Sequence, residues 1–134
     1  MKKKQRIVIK VGTSTLTYDN CKLNIRRLEK LCKVIADLQN QGNEMVLVSS
    51  GALAVGMGKL GIKNRPEMTN KKQALSAVGQ CELMFMYDKF FDQYNNVMAQ
   101  ILLTKYAVET EQKKETIHNA FMSLIDMGII PVVN

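Results

Sequence analysis

The chain has 134 residues, of which 46% are hydrophobic and 23% charged, so it fits one globular domain with a real core and excludes a disordered chain. Its net charge of +7 allows nucleic acid, an anionic surface or anionic small substrates as partners. The only dense basic run is Lys2-Lys3-Lys4, followed by Arg6, which we interpret as a solvated leader. No motif of the common nucleic-acid modules appears, so we expect no nucleic-acid partner.

The cysteines and the apolar segments indicate the cellular compartment in which we expect the chain. Cys21, Cys32 and Cys81 are widely spaced and form no C-x-x-C motif, so the sequence predicts neither a zinc knuckle nor a thioredoxin-like site. No signal peptide is apparent, and no apolar stretch approaches the roughly 20 residues of a membrane span. We therefore expect a cytoplasmic chain with free thiols and no membrane partner.

In chain order, apolar runs alternate with helical patterns. A helix after Asn24, its predicted cap, carries apolar residues at spacings of three and four up to about Gln41. Strands are predicted over 6–12, 44–50, 97–103 and 129–134, and helices over 25–41, 51–59, 71–94 and 115–128. This order, β-α-β-α-α-β-α-β with continuous apolar strands, predicts an α/β fold with a parallel sheet covered on both faces. Because the chain stops at a strand end, where ligands bind in such sheets, we expect a fragment.

The segment 56–61 matches the dinucleotide fingerprint G-x-G-x-x-G. The fingerprint works directly after a strand, whereas this match begins at Gly56, where the chain should already be helical. We favour helix–helix packing glycines and a helix stop at Gly61. A phosphate-binding P-loop also fails, because Leu60 rather than Ser or Thr follows Gly58-Lys59.

Two other segments are candidates for binding an anion. Ser49-Ser50-Gly51-Ala52 follow a strand and open a helix, so free N–H groups and hydroxyls would face a ligand; a simple serine cap explains the pattern equally well. Lys10 lies inside an apolar strand, two residues before a turn that carries Gly12, Thr13 and Ser14. We favour a lysine that reaches a phosphate over an edge-strand lysine that points to solvent.

Both candidates follow strands that we expect to be neighbours in a parallel sheet, so they would share one ligand-binding edge. Two anionic reactants meeting there would suit phosphoryl transfer, in which the protein mainly positions groups and neutralises charge. The single histidine, His118, lies within a predicted helix, and we interpret it as a surface or core residue. No metal site is predicted.

Five segments together resemble the glutamate 5-kinase family of the amino acid kinase superfamily. They are "IVIKVGTSTLT", "MVLVSSGALAVGMGKLG", "KKQALSAVGQCELM", "QILLT" and "GIIPVVN". They occur in register across 6–134, and the combination is highly specific. Where superfamily relatives tend to have Lys-x-Gly-Gly, this chain has Lys10-Val11-Gly12-Thr13-Ser14, which is similar to the glutamate kinase version.

The resemblance implies a three-layer α/β/α sandwich and transfer of the ATP γ-phosphoryl group to the side-chain carboxylate of L-glutamate, the first step of proline biosynthesis. It assigns Lys10 to phosphate binding and charge stabilisation during transfer, and the turn after it to the phosphates (Gly12, Thr13, Ser14). It assigns glutamate binding to the turn after the second strand (Ser50, Gly51, Ala52) and to the last residue, Asn134.

The resemblance also implies ATP as co-substrate, Mg²⁺ held mainly by the nucleotide and by residues outside this chain, feedback inhibition by proline, and homo-oligomers. Residues 1–134 would be the N-terminal, amino-acid-binding part of a truncated kinase domain, without its nucleotide-binding half. Two alternatives stay open: a non-catalytic module that binds glutamate or proline, and another kinase of the same superfamily.

Overall fold

The computed structural model describes residues 3–134, so Lys2 of the predicted leader lies outside the described residues. Four strands are formed: β1 (Arg6–Val11), β2 (Glu44–Ser49), β3 (Met98–Ile101) and β4 (Ile130–Val133). The helices are α1 (Thr13–Leu16), α2 (Ile25–Asn40), α3 (Ala52–Leu60), α4 (Thr69–Gln93) and α5 (Glu111–Asp126), with a 3-10 turn at Lys105–Val108.

All three strand pairings are parallel, and the strand order is β1-β2-β4-β3. The register aligns the last residues of the strands: Val11 lies opposite Ser49, and Val133 lies opposite Ile101. Val48 also pairs with Val133, which ties the two halves of the sheet together. The carboxyl ends of all four strands therefore lie along one edge of the sheet.

Helices pack on both faces of the sheet, as predicted. Side chains alternate between faces along each strand. On one face, residues such as Met45, Leu47 and Val132 join the main core with α2, α3 and α4. On the other face, Val46 and Val133 pack against Ile125 of α5 in a smaller cluster. The α/β class and its layered arrangement are thus confirmed.

The prediction that β1 is buried on both faces is wrong. Its exposure alternates, and Val8 is 61% exposed on the same face as Lys10. Within residues 3–134, β1 has a neighbouring strand on one side only. Helix α5 packs on β4 rather than on β1. An apolar run alone does not tell a covered strand from an edge strand.

The helices also differ from prediction: α1 was not predicted, and α4 and α5 begin earlier, at Thr69 and Glu111. The turn after β1 contains the short helix α1, which carries the fully buried Leu16 into the core. α5 begins at Glu111 rather than Glu115, because the Thr110 side chain accepts a hydrogen bond from the Lys113 N–H and caps the helix there. The predicted cap of α2 is confirmed, since the Asn24 side chain accepts from the Arg27 N–H.

The glycines of the fingerprint-like segment pack helices together, as we favoured. A Cβ on Gly56 would collide with the Leu75 carbonyl of α4, and one on Gly79 would collide with the Ala52 carbonyl of α3. Gly61 ends α3 with a φ of 69°, in the left-handed region. The close crossing of α3 and α4 therefore requires glycine at 56 and 79, and no dinucleotide is needed to explain the motif.

Candidate functional site

The predicted phosphate turn lies at the carboxyl end of β1. The Lys10 side chain is exposed and runs along the strand toward this turn, so that a Cβ placed on Gly12 would lie 3.9 Å from Lys10 Nζ. Thr13 and Ser14 are exposed in the first turn of α1, whose cap residue is Gly12. An ammonium and two hydroxyls thus share one solvent-open turn, which is chemistry suited to a phosphate.

The predicted amino-acid turn lies beside it, at the carboxyl end of β2. The Ser50 N–H donates to the Val11 carbonyl at 3.1 Å, which fastens this turn to β1. Gly51 has a φ of 99°, and a Cβ there would lie 3.5 Å from Thr13 Cα. The structure therefore places the two predicted turns side by side, and glycine at 51 suits the left-handed backbone conformation of the second turn.

Neither serine caps α3, in contrast to the cap interpretation of this segment. The residue before α3 is Gly51, which makes no side-chain cap hydrogen bond. The first N–H groups of a helix have no partner within it. The N–H groups of Gly51 and of the first turn of α3 consequently have no acceptor among residues 3–134. Such groups favour a carboxylate or a phosphate.

Asn134 follows β4 at the same edge. Its backbone is held by β3: its N–H donates to the Ile101 carbonyl at 3.1 Å, and its carbonyl accepts from the Leu103 N–H at 3.1 Å. Its side-chain amide donates to Gln80 Oε1 of α4. Gln80 Nε2 is buried without a hydrogen-bond partner among residues 3–134. The carboxamides of Asn134 and Gln80 thus form a half-buried pair at the end of β4.

Two cavities lie away from these strand ends. A cavity of about 910 Å³ lies beside α2 and the end of α4, and another of about 510 Å³ lies at the amino ends of β1 and β2. Neither is lined by the predicted site residues, so the geometry of the strand ends, and not cavity size, locates the candidate site.

No group of three or more His, Cys, Asp or Glu residues within 3–134 is arranged to hold a metal ion. The described strand ends therefore offer donors for anions, and Mg²⁺ does not fit them as a directly coordinated ion. No helix in this part of the chain is long and apolar enough to cross a membrane.

The sequence profile of the amino acid kinase family matches residues 5–134. The chain belongs to the amino acid kinase family. It is 54% identical over all 134 residues to a protein named glutamate 5-kinase from Clostridium perfringens, of which it covers 50%. It is 48% identical over the same length to a glutamate 5-kinase from Listeria innocua, of which it covers 49%. A Thermoanaerobacter glutamate 5-kinase is 46% identical over 129 residues. The chain spans about half the length of the first two relatives.

Sequence reasoning missed three side chains that support the candidate site. Arg27 of α2 donates to the carbonyls of Ser14 and Thr15 at 3.5 Å each and braces α1. Gln80 contacts Asn134, as described above. Tyr87 of α4 is fully buried and hydrogen-bonds Ser49 at 2.7 Å. A tyrosine within an apolar helix needs a partner for its hydroxyl, which is the one signal that the sequence contained for it.

Proposed function

We propose that the full-length gene product transfers the γ-phosphoryl group of ATP to the side-chain carboxylate of L-glutamate, forming L-glutamyl 5-phosphate and ADP. The observation that carries this proposal is 54% identity over the whole chain to a named glutamate 5-kinase. In this proposal, residues 1–134 form the N-terminal, amino-acid-binding part of the kinase domain. The nucleotide is then held mainly by residues outside this chain. The reaction would be the first step of proline biosynthesis.

Lys10 and the turn after β1 are assigned to the transferring phosphoryl group. A carboxylate oxygen of glutamate attacks the γ-phosphorus, and the bond to the leaving ADP oxygen breaks. Negative charge is spread over the phosphoryl oxygens during this step. The Lys10 ammonium, lying over Gly12, is placed to stabilise that charge, while Thr13 and Ser14 offer hydroxyls to the phosphates.

The turn after β2 and Asn134 are assigned to glutamate. The free N–H groups from Gly51 and the start of α3 suit a carboxylate, and the Ser50 hydroxyl adds a polar contact. Ala52 is the first residue of α3, and its small side chain would leave room for the ligand. Asn134 would contact the amino acid from the neighbouring strand end. Contact between the Gly51 and Thr13 turns would bring acceptor carboxylate and phosphate together.

The remaining features of the proposal concern the protein as a whole. ATP is the phosphoryl donor, and Mg²⁺ accompanies the nucleotide. Because residues 3–134 provide no carboxylate cluster for the metal, we assign no step of the reaction to it here. A cytoplasmic location, feedback inhibition by proline and a homo-oligomeric state complete the proposal.

The decisive experiment supplies the full-length gene product with ATP, Mg²⁺ and L-glutamate in the presence of hydroxylamine, which traps the acyl phosphate as a hydroxamate. We expect hydroxamate with glutamate and little with L-aspartate. Turnover of aspartate with none of glutamate would contradict the proposal and favour another kinase of the superfamily. Calorimetric binding of glutamate or proline, with no ATP consumption under any condition, would favour a non-catalytic binding module.

A pair of serine variants tests the substrate assignment. We expect Ser50→Ala to raise the KM for glutamate about tenfold, because it removes a hydroxyl that contacts the bound amino acid. Ser123→Ala is the control, because Ser123 is an exposed serine on α5. Equal KM values for the two variants would contradict the assignment of Ser50.

A further inference from the structure

Tyr87 brings a hydroxyl from the centre of the core to the candidate amino-acid turn. Its side chain is fully buried in α4, and Ser49, the last residue of β2, is 3% exposed. The two hydroxyl oxygens lie 2.7 Å apart. Ser49 directly precedes Ser50 and Gly51, so this buried contact holds the strand end from which the turn departs.

The direction of the two protons follows from the available acceptors. The Ser49 hydroxyl lies 3.3 Å from the Ser50 carbonyl oxygen, to which it donates a long hydrogen bond. A serine hydroxyl has one proton. Both hydroxyl protons therefore find acceptors only if Tyr87 donates to Ser49 and Ser49 donates to Ser50. We call this chain, from the Tyr87 hydroxyl through Ser49 to the Ser50 carbonyl, the hydroxyl relay.

The hydroxyl relay acts on the peptide that joins Ser50 to Gly51. In a trans peptide the carbonyl and the following N–H point in opposite directions. A hydrogen bond that draws the Ser50 carbonyl toward the core therefore turns the Gly51 N–H away from the core. The Ser50 N–H, bound to the Val11 carbonyl at 3.1 Å, fixes the other side of the same residue.

We propose that Tyr87 and Ser49 are positioning residues that orient the Gly51 N–H toward a carboxylate of the bound amino acid. The Gly51 N–H has no acceptor among residues 3–134, and Gly51 has a φ of 99°. This inference rests on the proposed function for the identity of the ligand. The orientation of the peptide itself depends only on the hydroxyl relay.

The first test reads the peptide directly and does not depend on the substrate. Ser50–Gly51 is the only Ser–Gly step in these 134 residues. Labelling with ¹³C-carbonyl serine and ¹⁵N-glycine therefore yields a single carbonyl–amide NMR correlation from this part of the full-length protein. We expect Tyr87→Phe, which removes only the hydroxyl, to shift that correlation. An unchanged correlation in this variant would overturn the proposal.

Tyr94→Phe is the matched control for this measurement. Tyr94 follows α4 and its hydroxyl donates to Glu29 at 3.4 Å, on the side of the molecule away from the strand ends. We expect this variant to leave the Ser50–Gly51 correlation at its wild-type position. A shift of equal size in both variants would mean a general disturbance of the fold and would overturn the proposal.

The second test is steady-state kinetics of the full-length protein. We expect Tyr87→Phe to raise the KM for glutamate about three- to tenfold, with kcat and the KM for ATP within about twofold of wild type. Ser49→Ala should have the larger effect, because it removes both hydrogen bonds of the relay. A purely structural role would instead change all three constants in parallel with a lower Tm, which would overturn the proposal.

The two tests separate the possible failures. If the wild-type protein forms no glutamyl hydroxamate, the proposed function fails, while the NMR correlation still decides whether the relay orients the peptide. If the protein is active and Tyr87→Phe leaves both the correlation and the KM for glutamate unchanged, the relay proposal alone is overturned.

Discussion

Lys10 illustrates how the surroundings of one side chain depend on the position of its strand in the sheet. From the sequence, a lysine in an apolar run suggested a cation held beside a ligand rather than in solvent. In the structure β1 is an edge strand, and the Lys10 side chain is exposed, yet its Nζ lies over the Gly12 turn. The Lys10 side chain is therefore exposed to solvent and also lies in a position suited to binding a phosphate.

The Lys10 assignment predicts a large loss of activity without a loss of folding. We expect Lys10→Met to lower kcat for glutamyl phosphate formation at least about 100-fold, because a preorganised charge on the transferring group is lost. Its free energy of unfolding should change by less than about 0.5 kcal/mol, since the side chain is exposed. Lys33→Met, which changes an exposed lysine of α2, is the control. Wild-type kcat in Lys10→Met would contradict the assignment.

The thiols give a second prediction at the residue scale. Burial, with a smaller effect from the Glu29 charge, raises the pKa of Cys32 to about 12, whereas Cys81 is exposed. The raised pKa of Cys32 stabilises the fold below the ordinary thiol pKa near 9.0, and this stabilisation is lost as the pH rises from 9.0 toward 12. At about pH 8 a thiol reagent should therefore modify Cys81 in the native protein and Cys32 only after unfolding.

Peptide mass spectrometry at successive reaction times would follow the two cysteines separately. Cys81→Ser serves as the control, since it should remove the fast reaction and leave the slow one. Modification of Cys32 at the rate of Cys81 in the native protein would contradict the buried position of this thiol.

At the scale of elements, the crossing of α3 and α4 decides how the amino-acid turn is supported. Gly56 and Gly79 let the two backbones touch, and this contact places the start of α3 against α4. Further along α4, Tyr87 reaches the end of β2. One helix thus supports the candidate turn at two places, through a backbone contact and through a buried hydroxyl.

The glycine contact predicts a strong effect of a single methyl group. Gly79→Ala should lower the free energy of unfolding by about 3 kcal/mol or more, because the new Cβ collides with backbone atoms that have no room to move. Gly128→Ala is the matched control, with a φ of 74° and nothing within 4 Å of the added Cβ. It should cost only about 1 kcal/mol, from its left-handed backbone. Chemical denaturation measures both, and equal losses would contradict the packing argument.

At the scale of the whole molecule, one carboxylate pairs with two cations where β1 joins β2. The chain carries a net charge of +7. At the β1–β2 pairing, Lys4 and Arg6 approach the Glu44 carboxylate at 2.9 and 2.8 Å. Hydrogen bonds from Lys4 and then Arg6 hold the pKa of Glu44 below its ordinary value of 4.5. This carboxylate offsets positive charge where the edge strand joins the sheet.

This arrangement predicts how stability depends on pH. A lowered carboxyl pKa contributes stability above pH 4.5, and that contribution is lost as the pH falls below 4.5 through the folded-state pKa. Glu44→Gln should therefore be less stable than wild type at about pH 7, and this difference should shrink as the pH falls below 4.5. Glu115→Gln, at an exposed position of α5, is the control. A stability difference for Glu44→Gln that stays constant as the pH falls from about 7 to about 3 would contradict the argument.

The sequence by itself determined the order of strands and long helices and the turns that carry the candidate site. These follow from local signals: apolar periodicity, Asn24 as a cap, and glycines and hydroxyl residues placed directly after strands. The start of α5 was missed, because the polar residues that follow Thr110 resemble a connecting segment, although Thr110 caps the helix there. The role of glycine in the fingerprint-like segment was also predictable, since the spacing from the strand was wrong for a dinucleotide.

Only the tertiary structure decided that, within residues 3–134, β1 lies at one edge of the sheet and Lys10 is exposed. It also decided that Ser50 binds the Val11 carbonyl, that Gln80 meets Asn134 and that Tyr87 reaches Ser49. Each of these contacts joins residues far apart in the chain. Local periodicity contains no information about such pairs, because they depend on how the strands are ordered and how closely the helices cross.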